Sequence, residues 1–240
     1  PLSLRLKGRL SLFLTILLLC SALLSSCQPQ TKKQEGPVHS VLDCENRSVD
    51  VPDTINSVSC LYAYIGHACV ILGQEDKLTS IVAGLKRDHL MKRKISDIDK
   101  IPVPYNDQAI NLEELLGTDP DVILLRSGTM SGGGEADKLN KTGIPCVVID
   151  YETMEEQKHS IEVLGQVFQC EERAKAYVDY YDHMLETIKE HVETIPKNEK
   201  IRVFHSVNEV VRTDLPGSFS DSILTQAGLI NVVAEDGELQ

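Results

Sequence analysis

The sequence predicts an α/β protein of two Rossmann-like lobes with parallel sheets, joined by one long rigid helix. Two observations predict this class. Short apolar runs alternate with helix-like runs on both sides of residues 171–196, which is typical of βα units around a parallel sheet. Residues 171–196 carry apolar side chains at alternating steps of four and three, which is the spacing of one amphipathic helix.

The interlobe helix, residues 171–196, has a continuous apolar stripe and a charged opposite face. Glu171 and Glu172 suit a helix N-terminus, and Pro196 ends the run because it has no N–H. The stripe consists of Ala174, Val178, Tyr181, Leu185, Ile188, Val192 and Ile195. A coiled coil has similar spacing, but only three repeats are present and α/β patterns flank both ends, which favours a connecting helix.

Residues 41–170 are predicted to form the N-terminal α/β lobe. Its strands are expected at residues 47–52, 57–61, 78–83, 121–125 and 145–149. Its helices are expected at residues 64–72, 111–116, 136–141 and 153–167, with a loop at 126–134.

Residues 197–240 are predicted to begin the C-terminal lobe, with a strand at 201–207 and a helix at 219–227. One βα unit cannot bury its own sheet face. We therefore expect the second lobe to be incomplete in this fragment.

The first 27 residues have the pattern of a lipoprotein signal peptide. Three basic residues precede an apolar run at 10–24, which is shorter than the roughly 20 residues of a membrane-spanning helix. The run ends in Leu24-Ser25-Ser26-Cys27, which resembles the lipobox of bacterial lipoproteins, in which the cysteine carries a diacylglycerol anchor. An ordinary signal peptide with a chance cysteine is the alternative. Residues 28–40 are polar, with two prolines and a glycine, and predict a flexible tether.

The charge of the chain argues against nucleic-acid binding. Its formal net charge is −12, and without the three basic residues of the signal peptide 21 basic residues face 36 acidic ones, about −15. A nucleic-acid partner requires a basic face. The acidic balance suits a soluble domain outside the membrane.

The cysteines indicate neither a disulfide framework nor a thiolate metal site. Of seven, Cys20 lies in the signal peptide and Cys27 is the predicted anchor. The other five are an odd number without a C-x-x-C pair. We expect buried thiols at Cys60 and Cys146 and no resident metal or cofactor, and one disulfide remains open.

The order of motifs resembles the extracytoplasmic substrate-binding proteins that serve ABC importers of iron–siderophores, haem and cobalamin. The resemblance covers about residues 41–233 and includes the long helix. The stretches that carry it are Asn46-Arg47-Ser48-Val49-Asp50-Val51-Pro52, Asn111-Leu112-Glu113-Glu114-Leu115-Leu116, Asp119-Pro120-Asp121-Val122-Ile123, Gly143-Ile144-Pro145, Gly217-Ser218-Phe219 and Ala227-Gly228-Leu229-Ile230-Asn231-Val232.

The resemblance implies a monomer that captures a small-molecule metal chelate in the cleft between the lobes. It also implies partners, namely a membrane permease and its ATPase, and an extracytoplasmic location on the bacterial cell membrane. Members usually run some tens of residues further, which agrees with the expected truncation.

Candidate ligand-binding residues follow from the rule that ligands lie beyond the carboxyl ends of strands in open α/β sheets. The aromatic candidates, whose rings suit a flat apolar ligand, are Tyr62, Tyr64 and Tyr151. The cationic and polar candidates of the first lobe, suited to an anionic ligand, are Lys86, Arg87, Arg126 and Ser127. The candidates that open the second lobe are His205, Asn208 and Arg212, of which His205 is a possible iron ligand. For the tyrosines, lobe packing is the alternative, and for the charged residues it is solvent exposure.

Glu113 is the candidate for permease docking. The resemblance implies that the glutamate of the Asn-Leu-Glu motif lies on the tip of the first lobe, where it pairs with permease arginines. An ordinary carboxylate at a helix N-terminus is the alternative. The matching glutamate of the second lobe is expected beyond Gln240.

Two other functions are weighed. The same fold binds a free metal ion or an oxyanion such as molybdate in other proteins, but few histidines lie near predicted strand ends here. Related two-lobe folds also host metal-cluster enzymes, which the cysteine spacing disfavours. The glycine-rich loop 127–134 lacks the Gly-Lys-Ser/Thr ending of a P-loop, and neither Gly-x-Ser-x-Gly nor His-Glu-x-x-His occurs. The sequence therefore predicts a binding protein that is not an enzyme and has no catalytic residues.

Overall fold

The structure is a computed structural model and describes residues 36–106, 109–131, 134–207 and 212–235. These residues lie within one compact unit. The strands are β1 Val38–Leu42, β2 Ser48–Pro52, β3 Val58–Cys60, β4 Leu78–Ser80, β5 Tyr105–Asn106, β6 Ala109–Ile110, β7 Val122–Leu125, β8 Cys146–Val148, β9 Arg202–Val203 and β10 Ile230–Asn231. The helices are α1 Ala63–Ile71, α2 Ala83–Arg87, α3 His89–Lys94, α4 Leu112–Gly117, α5 Ser127–Ser131, α6 Glu135–Asn140, α7 Met154–Val167, α8 Glu171–Val192, α9 Phe219–Gln226 and α10 Val232–Glu235.

The main sheet is parallel and has four strands in the order β4-β3-β7-β8. The chain passes from β3 to β4 on one side and later to β7 on the other, so the strand order reverses between β3 and β7. Two apolar clusters cover the sheet, one that includes residues of α1, α2 and α7 and one that includes residues of α4 and α6. The predicted fold class, a parallel α/β protein, is confirmed.

Smaller sheets flank the main one. β1 and β2 form an antiparallel pair, and β5 and β6 form another. After the long helix, β9 pairs in parallel with β10, so βα organisation resumes there.

The long helix, α8, begins at the predicted residue and ends at Val192, before the predicted end. Ala174 is buried against Gly165 of α7, where an added Cβ would lie 2.6 Å from the Ala174 Cβ. Lys158 of α7 forms an ion pair with Asp182 of α8 at 2.7 Å. At the other end of α8, the Val192 side chain packs against the residue that follows the C-cap of α9, Gly228. The helix thus contacts elements on both sides of it, as expected of a connecting helix.

Several segments differ from the expected secondary structure. The strand expected at 78–83 ends at Ser80, and α2, α3, β5 and β6 lie where no such element was expected. β1 begins at Val38, inside the predicted tether 28–40, because Val38–Leu42 pairs with Ser48–Pro52 and the His39 ring contacts the Gln166 carbonyl at 3.0 Å. α5 occupies part of the predicted loop 126–134, and its first residue donates a backbone hydrogen bond to Asp150. The strand predicted at 201–207 is only Arg202–Val203, since its partner β10 is two residues long.

The described cysteines, Cys44, Cys60, Cys69, Cys146 and Cys170, are all free thiols. Within the ranges that the structure describes, no helix combines the length and apolarity needed to cross a bilayer.

We predict that Gly165→Ala destabilises the protein by about 1–2 kcal/mol, because overpacking against Ala174 outweighs the gain in helix propensity. Urea unfolding measures the effect. Gly117→Ala is the matched control, since nothing lies within 4 Å of a Cβ there, and it should change stability by about 0.5 kcal/mol or less. Adding Ala174→Gly should restore part of the loss. Equal effects of the two alanine variants would contradict the close helix crossing.

Buried thiols also predict a loss of stability at high pH. Burial raises the pKa of Cys60 from 9.0 to about 12, so the folded state disfavours the thiolate. Above pH 9 the unfolded chain releases this proton and the folded chain does not. The free energy of unfolding should therefore fall by about 1.4 kcal/mol per pH unit for this thiol. The free energy of unfolding, measured with urea between pH 8 and pH 11, should fall less steeply with pH in Cys60→Ala than in the wild type. An equal pH dependence in the two proteins would refute the assignment.

Candidate functional site

The candidate site lies at the carboxyl ends of three neighbouring strands of the parallel sheet. Tyr62 follows β3, Arg126 follows β7, and Asp150 and Tyr151 follow β8. In parallel strands these ends share one edge of the sheet, and the reversal of strand order between β3 and β7 opens a crevice there. The topology therefore places these residues where open α/β sheets bind ligands.

A row of four aromatic rings crosses the site. The ring centroids of Tyr62 and Tyr64 are 6.1 Å apart, and those of Tyr64 and Tyr151 are 4.7 Å apart in an edge-to-face arrangement. Tyr151 also contacts Phe219 edge to face, with centroids 5.1 Å apart. The structure thus brings the three predicted tyrosines together and adds a phenylalanine from beyond the long helix.

Phe219, like Asp150, is a residue of the site that sequence reasoning missed. It opens α9, where the Ser218 side chain caps the helix by accepting a hydrogen bond from the Asp221 N–H. Asp221 in turn accepts hydrogen bonds from the Gly217 N–H and the Asn231 side chain, both at 2.7 Å, and so ties this turn to β10. The available signal was the Gly217-Ser218-Phe219 stretch, which places an aromatic residue at a capped helix start.

Asp150 connects the polar groups of the site. Its carboxylate accepts backbone hydrogen bonds from Ser127 at 3.2 Å and Tyr151 at 2.9 Å, and lies 3.4 Å from the Arg126 Nε. The side chain of Asp150 is 16% exposed, whereas that of Arg126 is 57% exposed. Arg126 also lies over the Tyr62 ring, 5.5 Å from its centroid. One carboxylate therefore joins the ends of β7 and β8 and leaves most of the guanidinium accessible.

Two cavities adjoin these residues. One of about 320 Å³ is lined by Leu61, Tyr62, Tyr105, Arg126, Gly128, Thr129 and Glu135. The other, of about 370 Å³, is lined by Cys44, Asn46, Ser127, Asp150, Tyr151, Glu152, Glu156 and His159. Each is within the size range of small-molecule pockets.

Burial raises the pKa of two phenols of the site, those of Tyr62 and Tyr64. It raises the pKa of Tyr62, with the neighbouring Tyr151 adding to the shift. It raises the pKa of Tyr64 far above its usual value, although the hydrogen bond between Tyr64 and Ser160 opposes the shift. A phenolate ligand for iron would require loss of this proton. Tyr62 and Tyr64 are therefore suited to contact a ligand through their rings, since the Tyr64 hydroxyl already bonds to Ser160 and Gln157.

Other predicted site residues contact partners outside the aromatic row or are exposed to solvent. Lys86 Nζ donates to the Asp99 carbonyl at 2.9 Å, and Arg87 is exposed at the end of α2. His205 Nδ1 faces the Asp214 carboxylate at 3.3 Å, and Arg212 is exposed. Asn208 and Cys27 lie outside the described residues.

Glu113 is exposed in the first turn of α4, whose N-cap is Asn111 as predicted. The Asn111 side chain accepts a hydrogen bond from the Glu114 N–H. Across the described part of the chain, no three His, Cys, Asp or Glu side chains are grouped to hold a metal ion.

A parallel α/β sheet with an aromatic and cationic crevice at its switch point, next to a long connecting helix, defines a solute-binding class of protein. Residues 58–240 match the family described as periplasmic binding protein, and the chain belongs to this family. The predicted family and the prediction of a binding protein rather than an enzyme are confirmed at this level.

The chain is similar to an uncharacterized ABC transporter substrate-binding lipoprotein, YvrC, of Bacillus subtilis strain 168. The two are 27% identical over 202 residues, which cover 80% of this chain and 62% of that protein. This chain therefore spans less than two thirds of the length of this curated relative.

Solved structures share the fold. The molybdate periplasmic binding protein MolA of Haemophilus influenzae has a TM-score of 0.71 at 18% identity, over 81% of this chain and 66% of that one. The petrobactin-binding protein YclQ of Bacillus subtilis has a TM-score of 0.62 at 18% identity, over 81% and 67% of the two chains.

We predict that Tyr64→Phe lowers the free energy of unfolding by about 1 kcal/mol, because it removes hydroxyl contacts to Ser160 at 2.8 Å and Gln157 at 3.3 Å. Tyr180→Phe is the matched control, because Tyr180 is 61% exposed, and it should change stability by less than about 0.5 kcal/mol. Urea unfolding of both variants measures the difference. A neutral Tyr64→Phe variant would mean that this hydroxyl does not hold the aromatic row in place.

Proposed function

We propose that this protein is the extracytoplasmic solute-binding component of an ABC importer. It captures an iron–siderophore, or a related metal chelate such as haem or cobalamin, and delivers it to the permease. The observation that carries this proposal is the aromatic row from Tyr62 to Phe219, next to the exposed guanidinium of Arg126. The chain performs no chemistry on its ligand in this proposal.

The chemistry of the site supports a ligand that is large, flat in part and anionic. Edge-to-face rings offer apolar surfaces for an aromatic catecholate or a macrocycle. The Arg126 guanidinium supplies paired N–H donors for carboxylate or catecholate oxygens. The raised pKa values of Tyr62 and Tyr64 disfavour phenolate, so these residues do not compete for the iron of an intact chelate.

Delivery requires attachment to the membrane and recognition by the permease. In the proposal, Cys27 carries the lipid anchor. The Bacillus relative is itself named a lipoprotein. Glu113 docks to a basic residue of the permease, a role that fits its exposure at the start of α4. The connecting helix α8 limits the closure of the cleft to small movements. The protein acts as a monomer in complex with a permease and its ATPase.

An oxyanion is the second candidate ligand. Arg126 is a suitable cation for molybdate, and the fold is similar to that of a molybdate-binding protein. An anion as small as molybdate has no apolar surface to pack against the aromatic row, so a chelate is the preferred ligand. A free divalent cation has less support, since the described residues hold no cluster of metal ligands.

Quenching of tyrosine fluorescence by added ligand tests the proposal. The sequence has seven tyrosines and no tryptophan, so the row at the site should contribute strongly to any change. The full-length protein is titrated with a ferric catecholate siderophore, a ferric hydroxamate siderophore, haem, cobalamin and molybdate. Saturable binding of one chelate near micromolar affinity or tighter, without turnover, is the expected result. Binding of molybdate alone would select the second candidate, and no binding by a folded protein would reject both.

For an anionic chelate we predict that Arg126→Gln weakens binding roughly tenfold, because a charge-assisted hydrogen bond is lost. Arg173→Gln removes the same charge from an exposed position on α8 and should leave the affinity unchanged. The comparison of the two dissociation constants separates a local contact from a general effect of charge. An equal loss in both variants would contradict a role of Arg126 in binding.

A further inference from the structure

A small basic surface interrupts the otherwise acidic chain at helix α3. Lys92, Arg93 and Lys94 are consecutive and all are exposed. The chain has a formal net charge of −12, so these three residues stand out against an acidic background. None of the three side chains forms a hydrogen bond or an ion pair with another residue in the part of the chain that the structure describes. Leu90 lies beside them and is 52% exposed.

We call Leu90, Lys92, Arg93 and Lys94 the basic patch. On a helix, Leu90 neighbours Arg93 and Lys94, which follow it by three and four residues. The patch therefore combines three cations with one protruding aliphatic side chain on the same short element.

The fold holds this patch rigidly. Met91 is fully buried and Ile95 is 5% exposed, so the opposite side of α3 is fixed in the core. Asp88 caps the helix by accepting hydrogen bonds from the N–H groups of Leu90 and Met91. The Asp88 carboxylate also contacts the His67 ring of α1 at 3.1 Å.

In the described part of the chain, the nearby acidic residues form no ion pair with the patch. Asp88 is occupied by the helix cap and by His67. Asp97 lies 3.1 Å from Lys100, an ion pair outside the patch. The patch therefore presents its positive charge to solvent.

We propose that the basic patch contacts the surface of a membrane that contains anionic phospholipids. Clusters of lysine and arginine are attracted to phosphate headgroups, and an exposed leucine gains free energy by entering the boundary with the acyl chains. A stable protein interface needs a larger apolar centre than one leucine supplies. This inference concerns the orientation of the protein at the membrane and does not depend on the identity of the ligand.

The test is chemical labelling of lysines on the full-length protein bound to vesicles. One set of vesicles contains phosphatidylcholine alone, and a second contains about one third phosphatidylglycerol. Brief acetylation followed by mass spectrometry gives the rates at Lys92 and Lys94, with Lys175 and Lys189 of α8 as internal references. Any attachment through the apolar N-terminal run is present on both sets of vesicles. The ratio of the Lys92 and Lys94 acetylation rates on the two sets therefore reports the contact of the patch with anionic lipid.

We expect Lys92 and Lys94 to be acetylated about threefold or more slowly on the anionic vesicles, with unchanged reference rates. The difference should disappear at about 0.5 M salt, where charges are screened within a few ångströms. Equal rates on both sets of vesicles would overturn the proposal and would assign the patch to an acidic protein surface or to solvent alone.

A double variant keeps the two reporter lysines and removes their neighbours. Leu90→Gln with Arg93→Gln should reduce the protection of Lys92 and Lys94. The matched control, Ile188→Gln with Lys189→Gln on α8, removes one aliphatic side chain and one cation elsewhere and should leave the protection intact, with Lys175 as the remaining reference. Circular dichroism checks that both variants are folded. Protection that survives undiminished in the patch variant, or that falls equally in both variants, would refute the assignment.

Discussion

The reversal of strand order between β3 and β7 is the constraint on which the rest of the site depends. Because the strands are parallel, their carboxyl ends meet at one edge, and the reversal separates the helices that would otherwise close over that edge. Tyr62 and Arg126 lie on the two sides of this point, and Asp150 connects the second side to the next strand. Three residues distant in the sequence thus form one surface because of topology.

Aromatic contacts extend that surface across the long helix. Tyr151 packs between Tyr64, which belongs to α1, and Phe219, which begins α9. The row is held by ring contacts, and burial raises the pKa of the Tyr62 and Tyr64 phenols. Within the residues that the structure describes, Arg126 is the cation that lies over a ring of the row, and most of its side chain is accessible. In the proposed function, this apolar row with one exposed positive charge selects ligands by shape first and by charge second.

Part of the site was predictable from the sequence because strand ends in a parallel sheet are visible as sequence patterns. Tyr62, Arg126 and Tyr151 each follow a short apolar run, and the sheet rule then brings them together. Tyr64 was found in the same way, since it follows Tyr62 closely.

Asp150 and Phe219 illustrate what the sequence pattern did not determine. Asp150 is important because its carboxylate accepts hydrogen bonds from backbone N–H groups. Such contacts depend on the three-dimensional arrangement of the backbone and are not visible in residue spacing. Phe219 reaches the site only because α9 starts beside Tyr151, a relation between parts far apart in the chain. The strand β1 was missed for a similar reason, since its pairing with β2 overrides the polar composition before Val41. The predicted domain limits and the roles of the individual site residues stay predictions.

The close approach of Gly165 and Ala174 gives the long helix the properties of a lever. Its first turns are held against α7 at this point and by the ion pair of Lys158 and Asp182, while Val192 contacts Gly228 at the far end. A helix of 22 residues is about 33 Å long, so a tilt of about 2° at the crossing moves its other end by about 1 Å. A small tilt that leaves the packing at the crossing intact therefore displaces the C-terminal end of α9, the helix whose first residue is Phe219.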